Sequence, residues 1–186
     1  MTKPKYTILD SFKFIAAVSD GNMPLVLEIF ADNPDAWRWR EDRDDDYSVL
    51  HHAIAAKRPE MVDLLIRRGA SVEMGARNNM TPLMLAARSG NPESVALLLE
   101  AGADAQAKDT GGNAAIFYAK DVEDAQGTLI RKYISDAMRD PAAGRALKST
   151  IATTRAAAMT QAVTGGTGSQ ISAPKTARFK KAKQTP

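Results

Sequence analysis

The sequence predicts an all-α solenoid of about four stacked helix-turn-helix units, followed by a flexible basic C-terminal tail. Three observations carry that expectation. The chain repeats itself at an offset of 33 residues, each repeat places apolar residues at helical spacing between glycine and proline punctuation, and the composition shifts abruptly after Asp140. A period of this length marks units that cannot bury their apolar faces alone and do so by stacking.

The repeat is clearest in the middle of the chain. Ser48-Val49-Leu50-His51-His52-Ala53 lies 33 residues before Thr81-Pro82-Leu83-Met84-Leu85-Ala86, and the same offset carries Pro59 onto Pro92, Glu60 onto Glu93 and Val62 onto Val95. Leu64 and Leu65 fall on Leu97 and Leu98, and Gly69-Ala70 on Gly102-Ala103. One step forward, Ala114-Ala115-Ile116-Phe117-Tyr118-Ala119 follows Asp109-Thr110-Gly111-Gly112-Asn113, which reads as a tight turn. The next helix, Thr128 to Met138, keeps apolar spacing at Leu129, Ile130, Tyr133, Ile134 and Ala137 and turns Arg131, Lys132, Ser135 and Asp136 to solvent. One step back, Phe14-Ile15-Ala16-Ala17 precedes Leu83 to Ala86 by 69 residues, so three extra residues lie in the Trp37 to Asp46 connection.

Within a unit the local chemistry dictates two helices. The first, Leu83 to Ser89, ends at Gly90, whose missing Cβ lets the chain turn left-handed, and Pro92 opens the second, where its absent N–H costs nothing. Val95, Leu98 and Leu99 form the apolar stripe, and Gly69 or Gly102 closes the second helix. Small Ala53, Ala86 and Ala119 let first helices approach closely. Lys57 stands where Gly90 stands one unit later, at a cost on the order of 1 kcal/mol.

This pattern resembles the ankyrin-repeat family, whose 33-residue period and T-P-L-H-x-A signature it shares. Residues 44–76 and 77–109 match well, while residues 6–43 and 109–139 look like degenerate caps that complete a stack over 6–139. The departures are Ser48-Val49 for Thr-Pro, Met84 at the histidine position, and Lys57 for glycine. The resemblance implies a structural hydrogen-bonding role for His51 in its turn, and binding of a protein partner through a concave face of turn tips and exposed first-helix residues. Carried over position by position, that face is Asp44, Asp45, Tyr47, Ala55 and Ala56 from unit two and Arg77, Asn78, Met80, Arg88 and Ser89 from unit three. Ser19 and Asp20 come from unit one, and Thr110, Asn113 and Asp121 from unit four. Tyr47, Arg77, Met80 and Arg88 are the leading candidates, with Tyr47 and Met80 expected as exposed apolar anchors.

Composition bounds the chemistry. The 186 residues, 44% hydrophobic and 25% charged, support one modest core. Without cysteine there is no disulfide, thiolate metal site or cysteine nucleophile. Adjacent His51 and His52 point in different directions on a helix and cannot act together. The Asp44-Asp45-Asp46 run lacks the alternating oxygens and glycine of a calcium loop. No glycine loop cradles phosphate, and no serine has partners. A non-enzyme without metal or cofactor is expected.

Trp37 and Trp39, flanked by Arg38 and Arg40, fall on one side of an extended segment. They either cover the stack or form a second binding surface; packing is favoured for at least one.

Charge divides the chain. Seventeen basic and twenty-two acidic residues precede Pro141, a net −5; eight basic and no acidic residues follow, a net +8. Residues 140–164 are rich in Ala and Thr and hold one weak amphipathic helix through Leu147, Ile151 and Met159, whereas 165–186 are expected to be disordered. The tail cations Lys175, Arg178, Lys180, Lys181 and Lys183 are read as passive first, with nucleic-acid binding and an export address as alternatives. No run approaches the ~20 apolar residues of a membrane span, and Met1 to Phe14 holds no secretory apolar run. A cytoplasmic monomer is therefore expected, its function an adaptor; the rival is a secreted effector or nucleic-acid-associated regulator acting through the tail.

Overall fold

A computed structural model describes residues 8–39, 46–145 and 147. The chain divides into two units, Met1–Ala152 and Thr153–Pro186, the second lying outside the described residues together with every tail cation named above.

Capping chemistry sets where each helix begins. Ser48 Oγ accepts from His51 N, Thr81 Oγ1 from Met84 N at 3.3 Å and Asn91 Oδ1 from Ser94 N at 3.1 Å, so side chains satisfy amide groups that the first helical turn leaves orphaned. Proline stands in the first turn of the helices after Thr81 and Asn91, and Pro59 opens another whose N-cap residue, Arg58, makes no side-chain cap bond. The resulting pairs are α1 (Ile8–Asp20) with α2 (Met23–Asp32), α3 (Val49–Ala55) with α4 (Pro59–Arg67), and α5 (Pro82–Arg88) with α6 (Pro92–Glu100). The last pair is α7 (Ala115–Tyr118), extended by a 3-10 turn over Ala119–Asp121, with α8 (Ala125–Arg139). The described residues contain no extended strand. The fold is the all-α solenoid that the period predicts.

First helices form one layer, α1 on α3 on α5 on α7, and α4, α6 and α8 stack in the other. Ala53, Ala86 and Ala119 are fully buried between first helices, as their size requires. Phe14, Phe30, Leu50, Leu65, Leu83, Leu98 and Ile134 fill the space between layers, each fully buried large side chain contributing roughly 1.5–3 kcal/mol. Left-handed backbone closes first helices at Gly21 and Gly90, and Lys57 adopts it too, at φ 54°.

Three details correct or sharpen the sequence reading. Arg131 is turned inward, donating from Nη1 to Ala119 O at 2.8 Å and Val122 O at 3.0 Å, where it ties off the carbonyls that end α7. Both tryptophans pack against the core: Trp39 meets Phe14 edge-on at 5.5 Å, and the Trp37 ring lies against Gly69. A ninth helix, α9 (Pro141–Arg145), lies on α6 and α8, with Gly144 tucked against Ala137 and Leu99. The amphipathic helix expected through Ile151 and Met159 lies beyond the described residues.

Candidate protein-binding groove

The groove surface begins with His51. Its ring is fully buried, with Nδ1 2.7 Å from Ser48 Oγ and Nε2 3.1 Å from Met80 O. A carbonyl only accepts, so Nε2 carries the proton and donates to it, while Nδ1 accepts from the serine hydroxyl. Unit two is thereby pinned to unit three.

On that rigid ring lies Tyr47, stacked at 5.3 Å and 19° and meeting His52 edge-on at 5.7 Å. Tyr47 and Met80 are half-buried, not exposed, because each packs back on the core of its own stack. The Tyr47 hydroxyl accepts from Arg88 Nη2 at 3.3 Å, joining two of the leading candidates across the unit boundary.

Arg88 also acts on unit four. Tyr118 donates its hydroxyl proton to Asp109 Oδ2, while Asp109 Oδ1 accepts from Gly111 N and Asn113 N, both at 2.8 Å. The phenol bond first, then the amide of Asn113, hold the Asp109 carboxyl below its ordinary range. The same bond, aided by burial and opposed by the Arg88 charge, pushes the Tyr118 phenol above its ordinary value. Asn113 Nδ2 also reaches Asp109 Oδ2 at 3.2 Å, so this candidate mainly fixes its own turn.

The other candidates lie on the fingertips. Arg77 and Asn78 open the exposed 3-10 turn Arg77–Asn79, where Asn78 and Asn79 take left-handed φ of 60° and 58°. Asn78 O accepts from Thr110 N at 2.9 Å, linking the tips of units three and four. Ser89 caps α5 and Asp121 ends the 3-10 turn after α7; Asp44 and Asp45 lie outside the described residues. Among the described residues no group of three or more His, Asp or Glu is placed to hold a metal, and no helix is long and apolar enough to cross a membrane.

Sequence reasoning missed His52, Tyr118 and Asp109. A signal existed: at the offset of 33, His52, Leu85 and Tyr118 share one register, and two of the three are polar aromatics at a position that leucine fills in the middle unit.

A layered stack of helix pairs, first helices on first helices and second on second, defines a repeat scaffold. The family model for ankyrin repeats matches residues 14–109 in three copies, more than half of the chain, and the chain belongs to that family. Its repeats are non-catalytic modules that generally mediate protein–protein interaction.

Similar proteins carry the repeats in varied company. The rice (Oryza sativa subsp. japonica) E3 ubiquitin-protein ligase XB3 is 36% identical over 95 residues, which is 51% of this chain and 21% of that protein. Mouse (Mus musculus) ankyrin repeat and SOCS box protein 6 is 39% identical over 77 residues, 39% of this chain and 18% of its own. A putative ankyrin repeat-containing protein of Treponema pallidum is 36% identical over 107 residues, 57% of this chain and 35% of its own. The matched region therefore spans between about a fifth and a third of these relatives.

Proposed function

We propose that this chain is a non-catalytic adaptor that holds a protein partner in its concave groove, over the row formed by Tyr47, Arg88 and Tyr118. The observation that carries this reading is the Tyr47–Arg88 bond on a histidine-stacked ring. Tyrosine and arginine are the residue types on which interfaces concentrate binding energy, and a ring already immobilised loses little entropy on association.

The test is a nuclease-treated pull-down from source-organism lysate at low and moderate salt. The baits are the full chain, its R88A and Y47F variants, and residues 1–152, the compact unit that retains α9. A protein captured by the full chain and by 1–152 at both salts, and lost with R88A, supports the groove. Capture by the full chain alone, abolished by salt or nuclease, transfers the function to the basic tail, because counterion release makes nucleic-acid binding fall steeply with salt.

A further inference from the structure

The helix α9 lies outside the four helix pairs, and the sequence specifies both its hinge and its seat. α8 stops at Asp140, whose backbone is extended at φ −142° and ψ 104°, and Pro141 follows. A residue before proline is kept out of the helical region, so α8 and α9 do not merge into one helix and Asp140 is the single residue between them. Its Oδ1 accepts from Ala142 N at 2.9 Å and its carbonyl from Ala143 N at 3.0 Å, so the hinge residue also starts the new helix.

The seat is shaped for a close approach. Glycine weakens a helix relative to alanine, and Gly144 has no left-handed φ to require it. What it provides is room: a Cβ there would stand 3.3 Å from Ala137 Cβ on α8 and 3.5 Å from Leu99 Cβ on α6. α6 is also apolar where its counterpart α4 is charged. At the offset of 33, Ala96 answers to Asp63, which pairs with Arg67 at the surface, whereas Ala96 and Leu99 are both buried.

The hold on that seat is slight. Within α9 only Gly144 is buried; Pro141, Ala142 and Arg145 are exposed, and Ala143 is half-buried. A recess of about 200 Å3, lined by Leu99, Ala103, Ala105 and Ala137, remains between α9 and the helices beneath it. An element that buries so little apolar surface opens at a free energy far below that of the whole fold.

We propose that α9 is a hinged lid, which lifts about Asp140 while the four units stay folded and so switches the strip around Leu99 and Ala137 between covered and exposed. That strip belongs to the layer of second helices, whereas Tyr47 and Arg88 belong to the layer of first helices, so the lid stands independently of the groove reading.

The chain has no cysteine, so paired spin labels can be placed without ambiguity and their separation read by double electron–electron resonance. R67C/A142C, both at exposed positions, reports the lid against unit two; R67C/K132C, also exposed, reports unit four against unit two without the lid. The expected outcome in the full chain is two distance populations for the lid pair and one for the control pair. Adding G144V, whose side chain collides with Ala137 and Leu99, should enlarge the open population at least threefold and leave the control distance unmoved; G144A should shift it the same way by less. A single population for the lid pair in the parent overturns the proposal, because α9 is then a fixed cap. So does a control distance that broadens together with the lid distance in G144V and G144A, because opening is then loss of unit four and not movement of a lid.

Discussion

Gly127 sits in the first turn of α8 with ordinary helical backbone, so nothing about its φ requires glycine. Space does: a Cβ built there lies 1.8 Å from Val122 O and 2.6 Å from its carbonyl carbon, inside any tolerable contact. The obstacle is backbone, and it is anchored. Val122 O accepts from Arg131 Nη1, and a Val122 methyl would meet a Cβ at Gly90 at 3.4 Å. Helix propensity alone would favour G127A by about 1 kcal/mol. Relieving the overlap requires moving the Val122 segment by more than an ångström, which costs on the order of 3 kcal/mol or more. The net expectation is destabilisation by at least about 2 kcal/mol, concentrated in unit four. Urea unfolding followed by circular dichroism, with hydrogen exchange to locate the opening, measures it. The control is G102A, where a Cβ meets nothing within 4 Å and only the positive φ opposes it, at about 1 kcal/mol. A G127A variant as stable as the parent, or no worse than G102A, would refute the steric reasoning.

Further outcomes follow from single sites. Ser94 is fully buried in α6 and its Oγ has no hydrogen-bond partner, so S94A should raise stability by about 1 kcal/mol; a lower urea midpoint would show an unseen partner for the hydroxyl. Asp109 titrates below its ordinary value when folded, so its contribution is present above that value and fades as pH falls through the folded one. Tyr118 titrates above 10, so its contribution holds below 10 and fades as pH rises through the folded value. In Y118F the Asp109 carboxyl should move back up, read by carbon NMR; an unmoved midpoint would mean that the Asn113 and Gly111 amides suffice. W39A, which removes the edge contact to Phe14, should cost about 2 kcal/mol and spare partner binding, whereas lost binding in a fully folded variant would restore Trp39 to a surface role.

The repeat architecture was legible because its signals are local. Gly90 and Pro92 punctuate, Thr81 caps, and the stripe of Val95, Leu98 and Leu99 selects the buried face within a dozen residues. What escaped depends on hydrogen bonds between residues 9 to 41 positions apart. Periodicity put Arg131 outside because its position on the helix is not part of the stripe, but the unpaired carbonyls of Ala119 and Val122 draw it in. Tyr47 was recognised as a groove residue and misjudged as exposed, since its cover comes from the His51 ring below it and Arg88 from the next unit. Asp109 read as a turn residue, and its bond to Tyr118, nine positions on, was invisible to the turn pattern.

The same dependence on a neighbour sets unit four apart from the units before it. His51, Met84 and Phe117 share one register; the first two are 0% exposed because unit three or unit four lies over them, whereas Phe117 is 45% exposed. No described unit follows to cover it, and the ring is shielded instead by Lys120 Nζ at 4.8 Å and by Tyr118 edge-on at 5.6 Å. Identical register thus predicts unequal energetics. M84S buries a hydroxyl in a cavity between units and should cost about 2–5 kcal/mol, while F117S removes a half-solvated ring and should cost about 1 kcal/mol. Chemical unfolding of the two variants side by side decides it: equal losses would mean that Phe117 is covered in solution.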